Sequence, residues 1–144
     1  MQGLYGAPTD SKRTIQGIGV KTDLQDAYTG VDIGAVKAGK KGDSIYATAD
    51  GVVLRNGVTA KSKSTRLELS LPYCSDTAIY QHGDFIVSEG ESVKRGQVIG
   101  YMSDKGTKDQ VHLHYEIRKD GVYKNPIVDP LPHMPFIYTE KLTN

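Results

Sequence analysis

Two histidines that alternate along a predicted strand are the first chemical feature of this sequence. His112 and His114 stand two positions apart in residues 111–116, VHLHYE. Because successive side chains of a β-strand point to opposite faces, both imidazoles face the same side, about 6–7 Å apart. Such a pair can bind a metal or transfer a proton. Two ligands do not complete a zinc site, however, and a bare H-x-H pair is more typical of ordinary half-exposed strand histidines.

Two further polar residues could join this pair. His82 ends the predicted strand 77–82, so it could approach the histidines from a neighbouring strand as a general base or as a charge stabiliser. Asp32 has apolar residues on both sides in a short predicted strand. A carboxylate is costly to bury there unless a metal ion or a cation pairs with it. The residues alone also support a second interpretation, in which Asp32 caps backbone amides in a hairpin.

Strands are the elements that must position these side chains. Nearly every periodic segment alternates with a period of two or is a short apolar run between Gly, Asn or Asp, and helix signals are nearly absent. Turn chemistry is present at residues 50–51, 55–57 and 119–121, where Gly accepts a positive φ. The sequence therefore predicts a sheet protein, with ten short strands at residues 14–20, 31–35, 44–47, 51–55, 66–71, 77–81, 85–87, 97–102, 111–118 and 122–124.

Length and composition limit the number of domains and the class of function. The 144 residues carry 18 Lys and Arg against 17 Asp and Glu, for a net charge of +1, and they include one Cys. This length suits one domain with a real core, and one cysteine cannot build a disulfide framework. Without a concentrated basic excess or a run of about 18 apolar residues, we expect no nucleic-acid partner and no membrane span. Residues 1–13 also lack the basic and apolar regions of a secretory signal peptide.

Five segments taken together resemble the lysostaphin/LytM-type zinc metallopeptidases of family M23. Each segment alone is a weak signal, but the five occur in the same order and spacing over roughly residues 14–130. They are residues 28–35 (YTGVDIGA), 46–53 (YATADGVV), 80–82 (YQH), 87–100 (VSEG through QVIG) and 112–118 (HLHYEIR), the last followed by Asn125 and Pro126.

The resemblance implies a fold, a domain organisation and a setting. The fold is a single, mainly antiparallel β domain with a groove over the sheet, a duplicated hybrid motif and little or no helix. The domains are an N-terminal extension at 1–13, an M23/LytM-like peptidase domain at 14–130 and a C-terminal tail at 131–144. Family members cleave peptides of bacterial peptidoglycan, so the implied partners are those peptides. The implied location is extracellular, in a bacterial cell envelope or on a phage particle.

The resemblance also implies the roles of the site residues. In this family a His and an Asp from an H-x-x-x-D motif and the second His of H-x-H hold zinc, and two other histidines act on the zinc-bound water. Carried over to this chain, Asp32 and His114 are metal ligands, and His82 and His112 are catalytic.

One residue departs from the family pattern, because Tyr28 stands where the first ligand His is expected. Catalytic zinc generally takes three His, Cys or carboxylate ligands. A tyrosine with a pKa near 10 must lose a proton at a cost of about 4 kcal/mol at pH 7 before it can bind as phenolate. We therefore expect Zn²⁺ binding to be weakened or absent, with Tyr28 as the candidate third ligand.

Three hypotheses for the function follow. The first is a peptidoglycan metalloendopeptidase whose incomplete zinc site leaves activity weakened or lost. The second is a non-catalytic relative that holds peptidoglycan peptides or a protein partner in the groove, as a scaffold or an activator. The third rests on residues 89–97, which resemble part of a lipoyl- or phosphotransferase-type carrier barrel. It leaves the H-x-H pair unexplained and lacks a carrier Lys at a hairpin tip.

Overall fold

The computed structural model describes residues 5–16, 30–60, 63–71, 76–107, 110–118 and 127–128. These residues form eleven strands and no helix, so the expected mainly β fold is confirmed. Tyr28, the predicted strand 122–124 and the turn at 119–121 lie outside the described residues. The strands are β1 (Thr14–Gln16), β2 (Val31–Gly34), β3 (Ser44–Tyr46), β4 (Gly51–Val58), β5 (Thr65–Ser70), β6 (Thr77–Gln81), β7 (Gly83–Phe85), β8 (Ser92–Val93), β9 (Val98–Met102), β10 (His112–Arg118) and β11 (Ile127–Val128).

The strands form two sheets, and every pairing described is antiparallel. The larger, eight-stranded sheet has the order β1-β2-β10-β6-β5-β4-β8, with β11 also paired to β10. The smaller sheet has the order β3-β9-β7. Strand β10 lies between β2 and β6 and is hydrogen-bonded to both, so its side chains are held from two sides.

Alternation along β10 separates a core face from a polar face. Leu113, Tyr115 and Ile117 are fully buried in the hydrophobic core. The residues between them, His112, His114 and Glu116, therefore project from the other face of the sheet. Burial of each large apolar side chain contributes about 1.5–3 kcal/mol, so the core face fixes which side the histidines take.

A buried hydroxyl cluster ties β10 and β6 to the loop after β3. Thr48 Oγ1 lies 2.8 Å from the hydroxyl of Tyr115 and 3.1 Å from that of Tyr80, and the Thr48 amide donates to Tyr80 at 3.0 Å. The two tyrosine rings meet edge to face at 5.1 Å. Burial raises the pKa of Tyr80 to about 12, so its hydroxyl stays protonated and can donate.

Two expectations for local structure were wrong, and one two-residue strand was missed. Residues 55–57 do not form a turn, because β4 continues to Val58 and pairs with β5 along this stretch. The side chain of Asn56 instead donates to the carbonyl of Val87 at 2.8 Å. The strand expected at 85–87 lies at Gly83–Phe85, where it pairs with β9. The two-residue strand β8 was not predicted, since a pair of residues is too short for periodicity to register.

Residues before β1 pack onto the same body. Tyr5 is buried in the core, Thr9 forms a β-bridge with Ile45, and the Arg13 guanidinium donates to the carbonyl of Ala35 at 2.7 Å. The domain boundaries at 13, 14, 130 and 131 stay a prediction. Across the part of the chain that the structure describes, no helix is long and apolar enough to cross a membrane.

Candidate functional site

Strand pairing brings Asp32 and His114 together. In the β2–β10 ladder these two residues are direct cross-strand partners. The approach depends on Gly30, since a Cβ there would lie 2.5 Å from the Tyr115 carbonyl oxygen, 2.9 Å from Glu116 Cβ and 3.1 Å from His114 Cε1. A side chain at position 30 would therefore push the start of β2 away from β10.

The Asp32 carboxylate lies between both histidines of the H-x-H pair. Its Oδ1 is 3.0 Å from His114 Nδ1, and its Oδ2 is 3.4 Å from His112 Nε2. All three residues are buried. The structure thus brings these sequence-predicted residues into one cluster on the polar face, where the Asp32 carboxylate contacts both imidazoles.

His114 is held at both ring nitrogens. Its Nε2 lies 3.0 Å from Glu116 Oε1, and the other oxygen of Glu116 accepts from Arg118 Nε at 2.8 Å. Burial opposes the charged form of His114, but the hydrogen bonds to Asp32 and Glu116 outweigh it and raise its pKa to about 9. Burial likewise opposes the charged form of Glu116, whose pKa is lowered because His114, Arg118 and Arg66 surround the carboxylate with positive charge.

The ring of His82 reaches the same cluster from the end of β6. Its centroid lies 4.8 Å from that of His112 and 6.2 Å from that of His114. Burial lowers the pKa of His82 to about 4, so this imidazole is neutral at pH 7. Burial also lowers the pKa of His112, against the opposing effects of Asp32 and the Gln110 carbonyl.

The hydrogen bonds of His112 leave an unprotonated nitrogen facing Asp32. His112 Nδ1 lies 3.1 Å from the Gln110 carbonyl oxygen, which can only accept, so Nδ1 carries the proton. In the neutral ring the lone pair on Nε2 then faces the Asp32 carboxylate. Two facing acceptors in a buried site favour a proton or a cation between them.

The described residues supply part of a metal site. Asp32 and His114 Nδ1 are adjacent donors, and Glu116 holds the other nitrogen of His114 as carboxylates commonly do for metal-binding histidines. Within the described ranges, no three His, Cys, Asp or Glu side chains are arranged to hold a metal by themselves. Asp32 and His114 therefore fit two positions of a zinc site. The third predicted position, residue 28, lies outside the residues that the structure describes.

Sequence reasoning missed several groups that shape this cluster. Glu116 continues the alternation of His112 and His114, so the same period-two argument would have placed it on their face. Gly30, Ser64 and the backbone of Lys105 had no comparable signal, because they act through contacts between segments distant in sequence.

Comparisons with known proteins agree with this architecture. Residues 26–126 match the model of Peptidase family M23. The murein hydrolase activator NlpD of Salmonella dublin is 35% identical over 130 residues, which cover 89% of this chain and 30% of that protein. The peptidoglycan DD-endopeptidase ShyC of Vibrio cholerae is 35% identical over 96 residues, which cover 63% of this chain and 21% of that protein.

A solved structure shares the fold. The catalytic domain of lysostaphin from Staphylococcus simulans superposes with a TM-score of 0.72 at 22% identity, covering 83% of this chain and 89% of that one. The chain spans less than a third of the length of NlpD and ShyC. With the family match covering most of its length, the resemblance expected from the five segments is confirmed, and the chain belongs to peptidase family M23.

Proposed function

We propose that this domain is directed at bacterial peptidoglycan and holds its peptides over the polar face of the larger sheet. Family membership supports the proposal, as do two relatives whose names refer to murein and to peptidoglycan. The observation that carries it is the Asp32 carboxylate, buried between His112 and His114 with His82 beside them. We place the domain in the bacterial cell envelope or on a phage particle, where this polymer is accessible.

In this proposal Asp32 and His114 are metal ligands, and Tyr28 completes the set. Bound Zn²⁺ would polarise the scissile carbonyl and lower the pKa of a water molecule. His82 and His112 are the groups that hold and move protons, and burial lowers the pKa of both, which favours their neutral forms. A neutral imidazole with one unprotonated nitrogen is the form that a general base requires.

Activity of this site is weak or absent because of Tyr28. Its phenol must ionise before it can bind a metal as phenolate, and this lowers zinc affinity relative to a histidine at the same position. The likeness to a murein hydrolase activator favours the alternative function, in which the groove binds peptidoglycan peptides or a protein partner without cleavage. A carrier-barrel function finds no support in the family match.

Zinc titration separates these functions. We would reload the purified, metal-free protein with zinc at neutral pH and measure stoichiometry and Kd by elemental analysis and calorimetry, for the unmodified chain and for Tyr28→His. A half-exposed tyrosine on β9 offers the matched control, since Tyr101→His adds a histidine outside the cluster. We expect Tyr28→His to bind zinc more tightly than the unmodified chain, and Tyr101→His to bind like the unmodified chain.

Peptidoglycan assays then identify the function. Release of peptide fragments from purified sacculi by the unmodified, zinc-loaded protein supports a peptidase. Sacculus binding without fragment release, together with zinc binding only by Tyr28→His, supports the binding or activator function. If Tyr28→His leaves zinc affinity unchanged, the assignment of residue 28 as a ligand position is wrong.

A further inference from the structure

The Nδ1 atom of His82 faces two oxygen atoms from different segments. It lies 2.7 Å from the carbonyl oxygen of Lys105 and 2.8 Å from Ser64 Oγ. A carbonyl can only accept, and the Ser64 hydroxyl already donates its hydrogen to the carbonyl of Thr65 at 3.0 Å. Both contacts are satisfied only if Nδ1 carries a hydrogen that is shared between them.

Both acceptors are held in place by their own segments. Gly106 has φ +82°, and a Cβ there would lie 2.7 Å from both Ser64 Cα and Ser64 Cβ. The turn that contains Lys105 therefore rests directly on Ser64, which only a glycine at position 106 allows. Within this turn the Thr107 amide and hydroxyl donate to the Asp104 carbonyl at 3.1 and 2.8 Å. Ser64 is in turn held by reciprocal hydrogen bonds with Thr59.

The backbone of His82 is also in an unusual conformation. Its φ is +74°, in the left-handed region that disfavours a residue with a Cβ, at a cost of about 1 kcal/mol or more. The His82 amide donates to the carbonyl of Thr65 at 3.2 Å, next to the serine that contacts its ring. Backbone and side chain of His82 are thus fixed against the same short segment at the start of β5.

We propose that Ser64 and the Lys105 carbonyl are positioning groups for His82, which hold its proton on Nδ1 and leave Nε2 as the atom that accepts protons in the cluster. This inference rests on the proposed function, because it assigns a specific atom to the role proposed there for His82. In a neutral imidazole, the position of the single ring proton decides which nitrogen can act as a base.

Long-range ¹⁵N–¹H NMR on histidine-labelled protein tests the inference directly. Spectra are recorded at pH 7 on the metal-free protein without substrate, and His82→Gln identifies the resonances of His82 among the four histidines. We expect a protonated Nδ1 and an unprotonated Nε2 for His82. A His82 ring protonated on Nε2, or one that averages between the two tautomers, would overturn the proposal.

A pair of glycine variants tests the role of the turn. Gly106 and Gly90 have similar positive φ values, +82° and +85°, but a Cβ at Gly90 would meet nothing within 4 Å. We expect Gly106→Ala to shift the His82 nitrogens towards averaged tautomers and Gly90→Ala to leave them unchanged. Identical His82 spectra for both variants would contradict the positioning role. If Gly106→Ala does not fold, the spectrum of the unmodified protein still decides.

These measurements are independent of the proposed function. They need no zinc and no peptidoglycan, so a domain that never binds metal can still show the expected tautomer. Conversely, a domain that binds zinc and cleaves peptidoglycan with its His82 proton on Nε2 would retain the proposed function and lose this inference.

Discussion

Asp32 is the residue on which the candidate site depends most. Burying an unpaired carboxylate costs several kcal/mol, and here the charge is compensated by contact with His114, whose pKa is raised to about 9. Because this contact joins β2 to β10, anything that separates the two strands also separates the site residues. The close approach at Gly30 is therefore part of the site although Gly30 contributes no functional group.

Gly30→Ala tests this dependence. The new Cβ would meet backbone at 2.5 Å, and overpacking of this kind costs about 1–3 kcal/mol. We expect that loss in the free energy of unfolding, measured by urea denaturation, together with changed NMR signals of His114. Gly57→Ala is the control, since a Cβ there meets nothing within 4 Å. Equal stability losses in the two variants would show that the contact at Gly30 does not matter.

At the scale of elements, β10 joins the core to the polar cluster. Its odd-numbered residues, 113, 115 and 117, are in the hydrophobic core, and its histidines and Glu116 are on the other face. Because a close-packed interior has low compressibility, the packed core face of β10 resists displacement of the strand. The rigidity of the histidine pair is therefore a property of the core beneath it and of the Thr48 hydroxyl cluster.

Leu113→Ala measures this coupling. Leu113 is fully buried between the two histidines in sequence, and truncation of a core leucine costs about 2–5 kcal/mol. We expect that loss in urea denaturation and broadened NMR signals from His112 and His114. Leu54→Ala on β4 is the matched control, because Leu54 is 50% exposed and should cost less than about 1 kcal/mol. Unchanged histidine signals in a destabilised Leu113→Ala protein would show that the polar face is independent of the core.

For the molecule as a whole, the core and the candidate metal cluster are separate. Among the residues that the structure describes, the core contains twenty buried apolar residues, drawn from both sheets, from the loops between strands and from Tyr5. His112 and His114 project from the face of β10 opposite to its core residues. We therefore expect the fold to be stable without a metal, in contrast to small domains whose metal replaces a core.

Removal of metal with EDTA tests whether the fold depends on zinc. We expect the protein treated with EDTA to keep its β-type circular dichroism spectrum and a cooperative thermal transition, because the buried apolar area is unchanged. Zinc that binds only the folded state should raise the free energy of unfolding by about 2.7 kcal/mol at a concentration of 100 Kd. The transition temperature should rise by the corresponding amount. Loss of cooperative unfolding in EDTA, with recovery on adding zinc, would show that the metal is structural.

Local sequence was sufficient for those features that depend on neighbours along the chain. Alternation placed His112 and His114 on one face, short apolar runs between Gly, Asn and Asp predicted the strands, and five segments in order predicted the M23 family. The apolar neighbours of Asp32 in sequence predicted a buried carboxylate that requires a compensating group. In the structure this carboxylate contacts His112 and His114. These features follow from backbone periodicity and burial, and both leave a repeating pattern of apolar and polar residues along the sequence.

Tertiary structure decided what depends on contacts between distant segments. Asn56 and Gly57 stay in β4 instead of forming a turn, because they pair with Leu67 and Arg66 of β5. The Lys105 carbonyl and Ser64 reach His82 from 23 and 18 residues away, and Gly30 acts through β10. The sequence by itself determined which residues face the same side of a strand, whereas only the packing of loops and strands determined which atoms of those residues meet, since long-range contacts leave no period in the chain.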